Sequence, residues 1–321
     1  MSEFSLIHTH FKTATAKHSN TILGIGDDCA ISTIPSDCEL VSCVDTLVAG
    51  RHFVFETSPY AIGYKSVAVN LSDLASMGAT PYAILLGLSL PSNDNDWLKA
   101  FSRGIADICK KFNVELIGGD TTKSDILTIS ITALGFIQKG KSIKRNNAKI
   151  GDVICVSGHI GSASLVLSYI LGENGYCKYA NALDDLNDEL KTALQYPTPQ
   201  IELGQKLIGY AHSMIDISDG LGQDLGHILN ASGVGAKLYL DNIPCADELN
   251  ALPFDKKYQH ILNGGDDYQL CFTMSKDNFD KFNQLYPNLI YQIGEIVEKQ
   301  GLELFFNNQP VDFEIKGWEH F

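Results

Sequence analysis

Gly24-Ile25-Gly26-Asp27-Asp28 is a glycine turn that ends in two adjacent carboxylates just where a strand would stop. Glycine lets the backbone come close to a ligand, and clustered Asp oxygens are hard donors suited to Mg²⁺. Outward from this turn, the chain keeps delivering an Asp at the end of an apolar run. Asp45 follows one, Asp120 stands behind Gly118-Gly119, Asp216 and Asp219 flank Ile217-Ser218, and Asp266-Asp267 stand behind Gly264-Gly265. The pattern predicts one acidic, metal-filled site assembled from distant segments.

The 321 residues exceed what one hydrophobic core usually serves, so two domains are expected. With 24 basic against 38 acidic residues the net charge is −14, which argues against nucleic-acid or anionic-lipid partners. A protein so acidic needs divalent cations to bring in polyanionic ligands. The eight cysteines form no C-x-x-C pair, and Cys155 and Cys271 sit in apolar runs, so they read as reduced core thiols. The start, Met-Ser-Glu-Phe-Ser, lacks the basic and apolar regions of a signal peptide, and no apolar run approaches a membrane span. The expected location is the cytoplasm.

Phe4, Ile7 and Phe11 recur at helical spacing, which makes His8 and His10 two exposed helix residues rather than a metal pair. A strand over 40–44 should end at Asp45-Thr46, with Gly50-Arg51-His52-Phe53 in a loop. Ser58-Pro59 starts a helix that carries Asp73 and ends near Gly78. Trp97, Phe101, Ile105, Ile108 and Phe112 form the apolar stripe of another helix, between strands over 84–90 and 114–117. A long alternating strand covers 127–137. The basic stretch 139–149 marks the domain boundary, giving domains over 1–140 and 150–321. The second begins with a strand over 153–156 and a helix over 162–172. A polar segment around 181–189 and a helix after Pro199 come next. Met214-Ile215-Asp216 runs as a strand into a glycine turn and a helix over 223–229. Strands near 236–240, 268–273, 291–297 and 302–306 flank a helix over 277–285. The fold class is therefore α/β (α+β), two domains with helices packed on a mixed sheet in each.

Gly135-Phe136-Ile137-Gln138-Lys139-Gly140-Lys141-Ser142 has the letters of a P-loop. A working P-loop opens a helix whose free N–H groups hold phosphate. No room for such a helix remains before the strand that follows Gly151-Asp152, so this stretch reads as a polar inter-domain connection.

Asp28, Asp45, Asp73, Asp120, Asp216 and Asp219 are more carboxylates than one Mg²⁺ needs, and packing them unpaired would be costly. Several ions fit better, as a reaction between two phosphorylated molecules would require. Because these residues come from both halves, the active site is expected in the inter-domain cleft.

The turn at 24–28, Asp45-Thr46-Leu47-Val48-Ala49-Gly50-Arg51-His52-Phe53, Asn70-Leu71-Ser72-Asp73-Leu74-Ala75-Ser76-Met77-Gly78-Ala79, Gly118-Gly119-Asp120-Thr121-Thr122, Asp216-Ile217-Ser218-Asp219-Gly220-Leu221 and Gly264-Gly265-Asp266-Asp267-Tyr268 together resemble the thiamine-monophosphate kinase family. The match runs in order to Lys316-Gly317-Trp318. It implies an AIR-synthetase-like fold, a homodimer paired through N-terminal domains, and the reaction of ATP with thiamine monophosphate to give ADP and thiamine diphosphate. It makes Asp28, Asp45, Asp73, Asp120, Asp216 and Asp219 magnesium ligands. Gly119, Asp120, Arg145 and Ser218 would hold ATP; His52, Asp266 and Trp318 would meet thiamine phosphate, Trp318 by stacking on a cationic ring. Asp45, Asp120 and Arg145 would carry the catalysis.

Two departures stand out. The family usually has hydroxyl residues before the Asp of its second motif, where this chain has Cys43 and Val44, so metal contact there comes from backbone carbonyls or is absent. The substrate-side motif usually reads Gly-Gly-Glu-Asp, and Asp266 is one methylene shorter. The acceptor is a phosphate monoester with a second ionisation near pH ~6, already a nucleophile at neutrality, so no general base is required. Rival readings are another member of the superfamily, such as selenophosphate or AIR synthetase, and a metal-loaded protein that holds nucleotide without turnover.

Overall fold

The computed structural model describes residues 3–172 and 188–317. The chain divides into two units, Met1–Leu74 with Ala79–Gly140, and Ala75–Gly78 with Lys141–Phe321.

The first unit begins with α1 (Glu3–His10) and the two-stranded pair β1 (Thr21–Leu23) and β2 (Ile31–Ser32). Then follow β3 (Cys38–Val48), α2 (Pro59–Ser76), β4 (Thr80–Leu90), α3 (Asn95–Phe112), β5 (Glu115–Lys123) and β6 (Thr128–Gln138). The four long strands form one sheet in the order β3-β6-β4-β5. β6 is antiparallel to both neighbours, whereas β5 runs parallel to β4, a pairing that requires the crossover helix α3.

Local chemistry sets the helix ends. The Ser58 hydroxyl accepts the Ala61 N–H ahead of Pro59, and the Asp94 carboxylate accepts from the Asp96 and Trp97 N–H groups to start α3. Leu98, Phe101, Ile105 and Ile108 are fully buried along α3, as are Val67, Ala68, Leu71 and Leu74 along α2. Each Val, Leu, Ile or Phe among them contributes roughly 1.5–3 kcal/mol. The two helices touch backbone to backbone: a Cβ on Gly63 would lie 2.2 Å from the Phe101 carbonyl, and one on Gly104 2.1 Å from that of Tyr60. On β6, Ile129, Ile131 and Ala133 are buried while Ser130 and Thr132 are only half covered. On β3 the alternate residues Leu40, Ser42, Val44 and Thr46 are exposed, so the sheet has one covered and one open face.

The second unit contains β7 (Val153–Val156), α4 (Ser162–Leu171), α5 (Asp188–Ala193), α6 (Ile201–Lys206), β8 (Ser213–Asp216), α7 (Leu221–Ser232) and β9 (Gly235–Tyr239). It continues with α8 (Asp247–Asn250), α9 (Phe254–Asn263), β10 (Leu270–Met274), α10 (Lys276–Leu285), β11 (Tyr291–Val297), β12 (Gly301–Phe306) and β13 (Gln309–Val311). These strands make a seven-stranded sheet, β13-β12-β9-β11-β7-β10-β8, antiparallel except for β12 beside β9. β7 and β10 are buried throughout. Val166 of α4, Leu225 and Ile228 of α7 and Ile261 of α9 join the same apolar core.

Four local expectations change. β3 does not end at Val44; Asp45 lies inside it, paired with Ile131. β5 likewise continues past Ile117, because 118–123 stay paired to 85–90 of β4. Tyr268 stands outside β10, since its φ of +50° is incompatible with a strand. His8 is exposed as expected, but His10 is buried, four residues from Leu6 on the face that also covers Phe11. After β6 no helix intervenes before β7, which leaves the P-loop letters at 135–142 without the helix they need. Cys177 and most of the polar segment 181–189 lie outside the described residues. Among the described residues, no helix is long and apolar enough to cross a membrane.

Candidate active site

The opening glycine turn and the Gly-Gly-Asp segment of β5 face one cavity of about 940 Å³ in the first unit. Asp27, Asp28, Gly118, Gly119, Asp120 and Thr121 all line it. The Asp27 carboxylate accepts the Asp28 N–H at 2.8 Å, which ties the turn to itself. Gly119 has a φ of +156°, and a Cβ there would stand 2.0 Å from the Leu86 carbonyl, so the backbone approach of β5 to β4 admits only glycine.

Asp45 and Asp73 form a second pair, around Cys43. Asn70 of α2 is fully buried, and its side-chain oxygen accepts the Asp45 N–H at 3.0 Å while its amide donates to the Ser66 carbonyl. The Cys43 thiol donates to the Asn70 carbonyl at 3.3 Å. Burial first, then the charges of Asp73 and Asp45, hold that thiol far above the ordinary thiol range, so it remains a neutral donor. Val44 points to the open face, 60% exposed. Register puts Asp45, Ile131, Leu86 and Gly119 in one transverse row. Asp45 and the Gly-Gly-Asp segment are therefore three strand spacings apart on that sheet, roughly 14 Å. His52 sits in the turn after β3, where its Nδ1 accepts the Val48 N–H at 3.0 Å.

The second unit holds the third pair. Asp216 closes β8 and is 3% exposed. The next turn is fastened by Asp224 of α7, whose Oδ2 accepts the N–H groups of Ser218, Asp219 and Gly220 at 3.0, 3.1 and 3.1 Å. Burial and, after it, the neighbouring charge of Asp216 push the Asp224 carboxyl up to about 7. Residues 264–268 lie directly against this turn. The Asp266 N–H donates to the Ser218 carbonyl at 2.9 Å and the Tyr268 N–H to the Ile217 carbonyl at 2.8 Å. A Cβ on Gly265 would fall 2.2 Å from the Ser218 oxygen, so this contact is reserved for glycine. Asp266 itself has a φ of +68°, a conformation that Asp tolerates better than Glu, and the Tyr268 hydroxyl donates to its Oδ1 at 2.9 Å. Asp267 turns inward and accepts the Gly161 and Ala163 N–H groups at the start of α4.

Arg145 is exposed; the preceding Lys144 pairs with Ser213 at the start of β8. Trp318 lies outside the described residues. Asp267, expected among the carboxylates of the metal-filled site, is instead taken up by the Gly161 and Ala163 N–H groups; Asp224 was not expected, and Asn70 had no role. Asp224 carried a signal, a carboxylate between Leu221 and Leu225 on an otherwise apolar helix face.

The six carboxylates expected as ligands thus stand as Asp28 with Asp120, Asp45 with Asp73, and Asp216 with Asp219. Among the described residues no three His, Cys, Asp or Glu are grouped as a metal cage. Mg²⁺ is ordinarily held by one or two carboxylates plus phosphate and water, so oxygen pairs of this kind suit it.

Residues 26–137 match the N-terminal domain of AIR synthase related proteins, and residues 149–307 match their C-terminal domain. The chain belongs to this family. It is 41% identical to the thiamine-monophosphate kinase of Haemophilus influenzae over 330 aligned residues, covering 100% of this chain and 98% of that protein. The thiamine-monophosphate kinase structure from Stenotrophomonas maltophilia superposes with a TM-score of 0.85 at 38% identity, covering 97% and 98% of the two chains. The AaThiL complex with AMPPCP and TMP gives 0.76 at 30% identity, covering 90% and 89%. Within the AIR synthase related proteins the chain is a member of the thiamine-monophosphate kinase group.

Proposed function

We propose that this protein transfers the terminal phosphoryl group of ATP to the phosphate of thiamine monophosphate, giving thiamine diphosphate and ADP. The observation that carries this reading is the junction of two loops in the second unit. The turn with Asp216, Ser218 and Asp219 is hydrogen-bonded to the loop with Asp266, so residues assigned to metal and nucleotide stand beside one assigned to the acceptor. The solved neighbour bound to AMPPCP and TMP, an ATP analogue and the acceptor, supports the same pairing of ligands.

In this reading Asp28, Asp45, Asp73, Asp120, Asp216 and Asp219 hold Mg²⁺. Bound Mg²⁺ neutralises and aligns the phosphates of two polyanions. Gly119, Asp120 and Ser218 hold ATP, and Arg145 offers a cation to its phosphates. His52 and Asp266 meet thiamine phosphate, with Tyr268 orienting the shorter Asp266; Trp318 stacks on the acceptor. Asp45, Asp120 and Arg145 are the residues on which turnover depends, and the acceptor phosphate is its own nucleophile. The working form is a cytoplasmic homodimer. The seven described cysteines are free thiols, as a reducing compartment keeps them, and the open face of the first sheet offers a surface for a second copy.

The test is incubation of purified protein with ATP, Mg²⁺ and thiamine monophosphate, with chromatographic identification of products. Equal amounts of ADP and thiamine diphosphate are expected, and both should vanish in Asp45→Asn and Asp120→Asn chains that keep the wild-type melting temperature. ADP formed without thiamine diphosphate overturns the reading.

A further inference from the structure

Asp224 lies outside every segment assigned to ligands, yet the acidic turn of the second unit is built on it. It is 2% exposed, on the first turn of a helix whose Leu221, Leu225 and Ile228 are fully buried. A carboxylate in such surroundings needs partners. Here one oxygen collects three consecutive N–H groups, those of Ser218, Asp219 and Gly220. Three donors on one acceptor orient three successive peptide planes, the concave arrangement that backbones otherwise offer to a bound anion. The opposite edge of the same turn is held by Asp266 and Tyr268 through the Ser218 and Ile217 carbonyls. With both edges fastened, the side chains of Asp216 and Asp219 depart from a backbone of fixed geometry.

Resting on the reading given under Proposed function, we propose that Asp224 is a positioning residue for phosphoryl transfer. Through the 218–220 backbone it sets where Ser218 and the carboxylates of Asp216 and Asp219 stand, and with them the divalent-cation affinity of the second unit. It touches neither substrate. Its effect depends on an oxygen at one place rather than on a negative charge.

The test compares Asp224→Ala with the isosteric Asp224→Asn in the full chain. Deuterium exchange of the 217–220 amides reads the hold on the turn directly. Mn²⁺ titration by electron paramagnetic resonance, with a non-hydrolysable ATP analogue present, reads the cation site without turnover. Removal of the oxygen in Asp224→Ala should speed exchange and weaken Mn²⁺ binding by about 10-fold or more, with a similar loss in kcat. KM for thiamine monophosphate should change much less than kcat. Asp224→Asn keeps an acceptor and should recover most of each loss. Unchanged Mn²⁺ affinity in a folded Asp224→Ala chain overturns the proposal, as does an Asn variant as impaired as the Ala variant, which would make the charge responsible. Should the Ala chain fail to fold, Asp224→Glu displaces the oxygen by one methylene and carries the same expectations. Exchange and Mn²⁺ binding need no product, so a wild type that makes no thiamine diphosphate would defeat the functional reading separately.

Discussion

Asp267 is a carboxylate turned into the protein, where its two oxygens accept the Gly161 and Ala163 N–H groups at 2.7 and 3.4 Å. Burial outweighs those donors and pushes its carboxyl from the ordinary 3.8 up to about 7. A folded-state pKa above the unfolded one stabilises the fold fully below 3.8, and that contribution is lost as pH rises through about 7. Relative to Asp267→Asn, the wild type should therefore lose up to about 1.4 kcal/mol per pH unit as pH rises between 3.8 and about 7, and level off above that. Paired thermal melts at pH 5, 6, 7 and 8 check this; a difference that does not vary between pH 5 and 7 would contradict it. At this scale the sequence was uneven. The acidic motifs stood out because each pairs Asp with glycine or a short polar neighbour. Asn70 and Asp224, which hold them, did not, and Asp267 stood out for the wrong role, because the partners of all three are backbone N–H groups whose positions exist only after folding. The junction at Ser218 brings together residues 48 positions apart, through the Asp266 N–H and the Ser218 carbonyl. Motif order alone does not reveal such a contact.

Helices were the most legible elements. The cap at Ser58 and the stripe at Phe101, Ile105 and Ile108 declare α2 and α3 before any tertiary contact is known. Strand ends were less so. Asp45 and Gly118-Gly119 look like terminators, but β3 and β5 run through them because each is an edge strand whose one neighbour supplies a full ladder. Ladder pairing overrides the weak local preferences of Asp and Gly. The converse holds after β6, where the letters at 135–142 imitate a phosphate loop without its helix. Lys141→Ala should accordingly leave kcat and KM for ATP within about 2-fold of wild type, since an exposed surface lysine carries little. Steady-state kinetics decide it, and a loss of two orders of magnitude would reinstate the phosphate-loop reading.

For the whole molecule, composition and charge pointed to an acidic protein that needs cations to bring in anionic ligands. The order of strands in the sheets could not be read, because long-range pairing leaves no local trace. The open face of the first sheet carries Leu40 at 45% and Val44 at 60% exposure, beside a hydrogen bond between the Thr46 and Ser130 hydroxyls. Apolar residues in such a row suit a self-complementary contact with a second copy. Val44→Glu should shift the proposed dimer to monomer in sedimentation velocity at micromolar concentration while far-UV circular dichroism stays unchanged. A variant that still sediments as a dimer would place the contact elsewhere.

The position of β6 has a consequence for synthesis. It is the last of the four long strands to leave the ribosome, yet it lies between β3 and β4 and hydrogen-bonds to both. A nascent chain that has emerged only as far as β5 can join β4 to β5, but β3 has no strand to pair with. The sheet therefore closes by insertion of its final segment into a waiting gap, and until Gln138 is out the row that carries Asp45 has no partner.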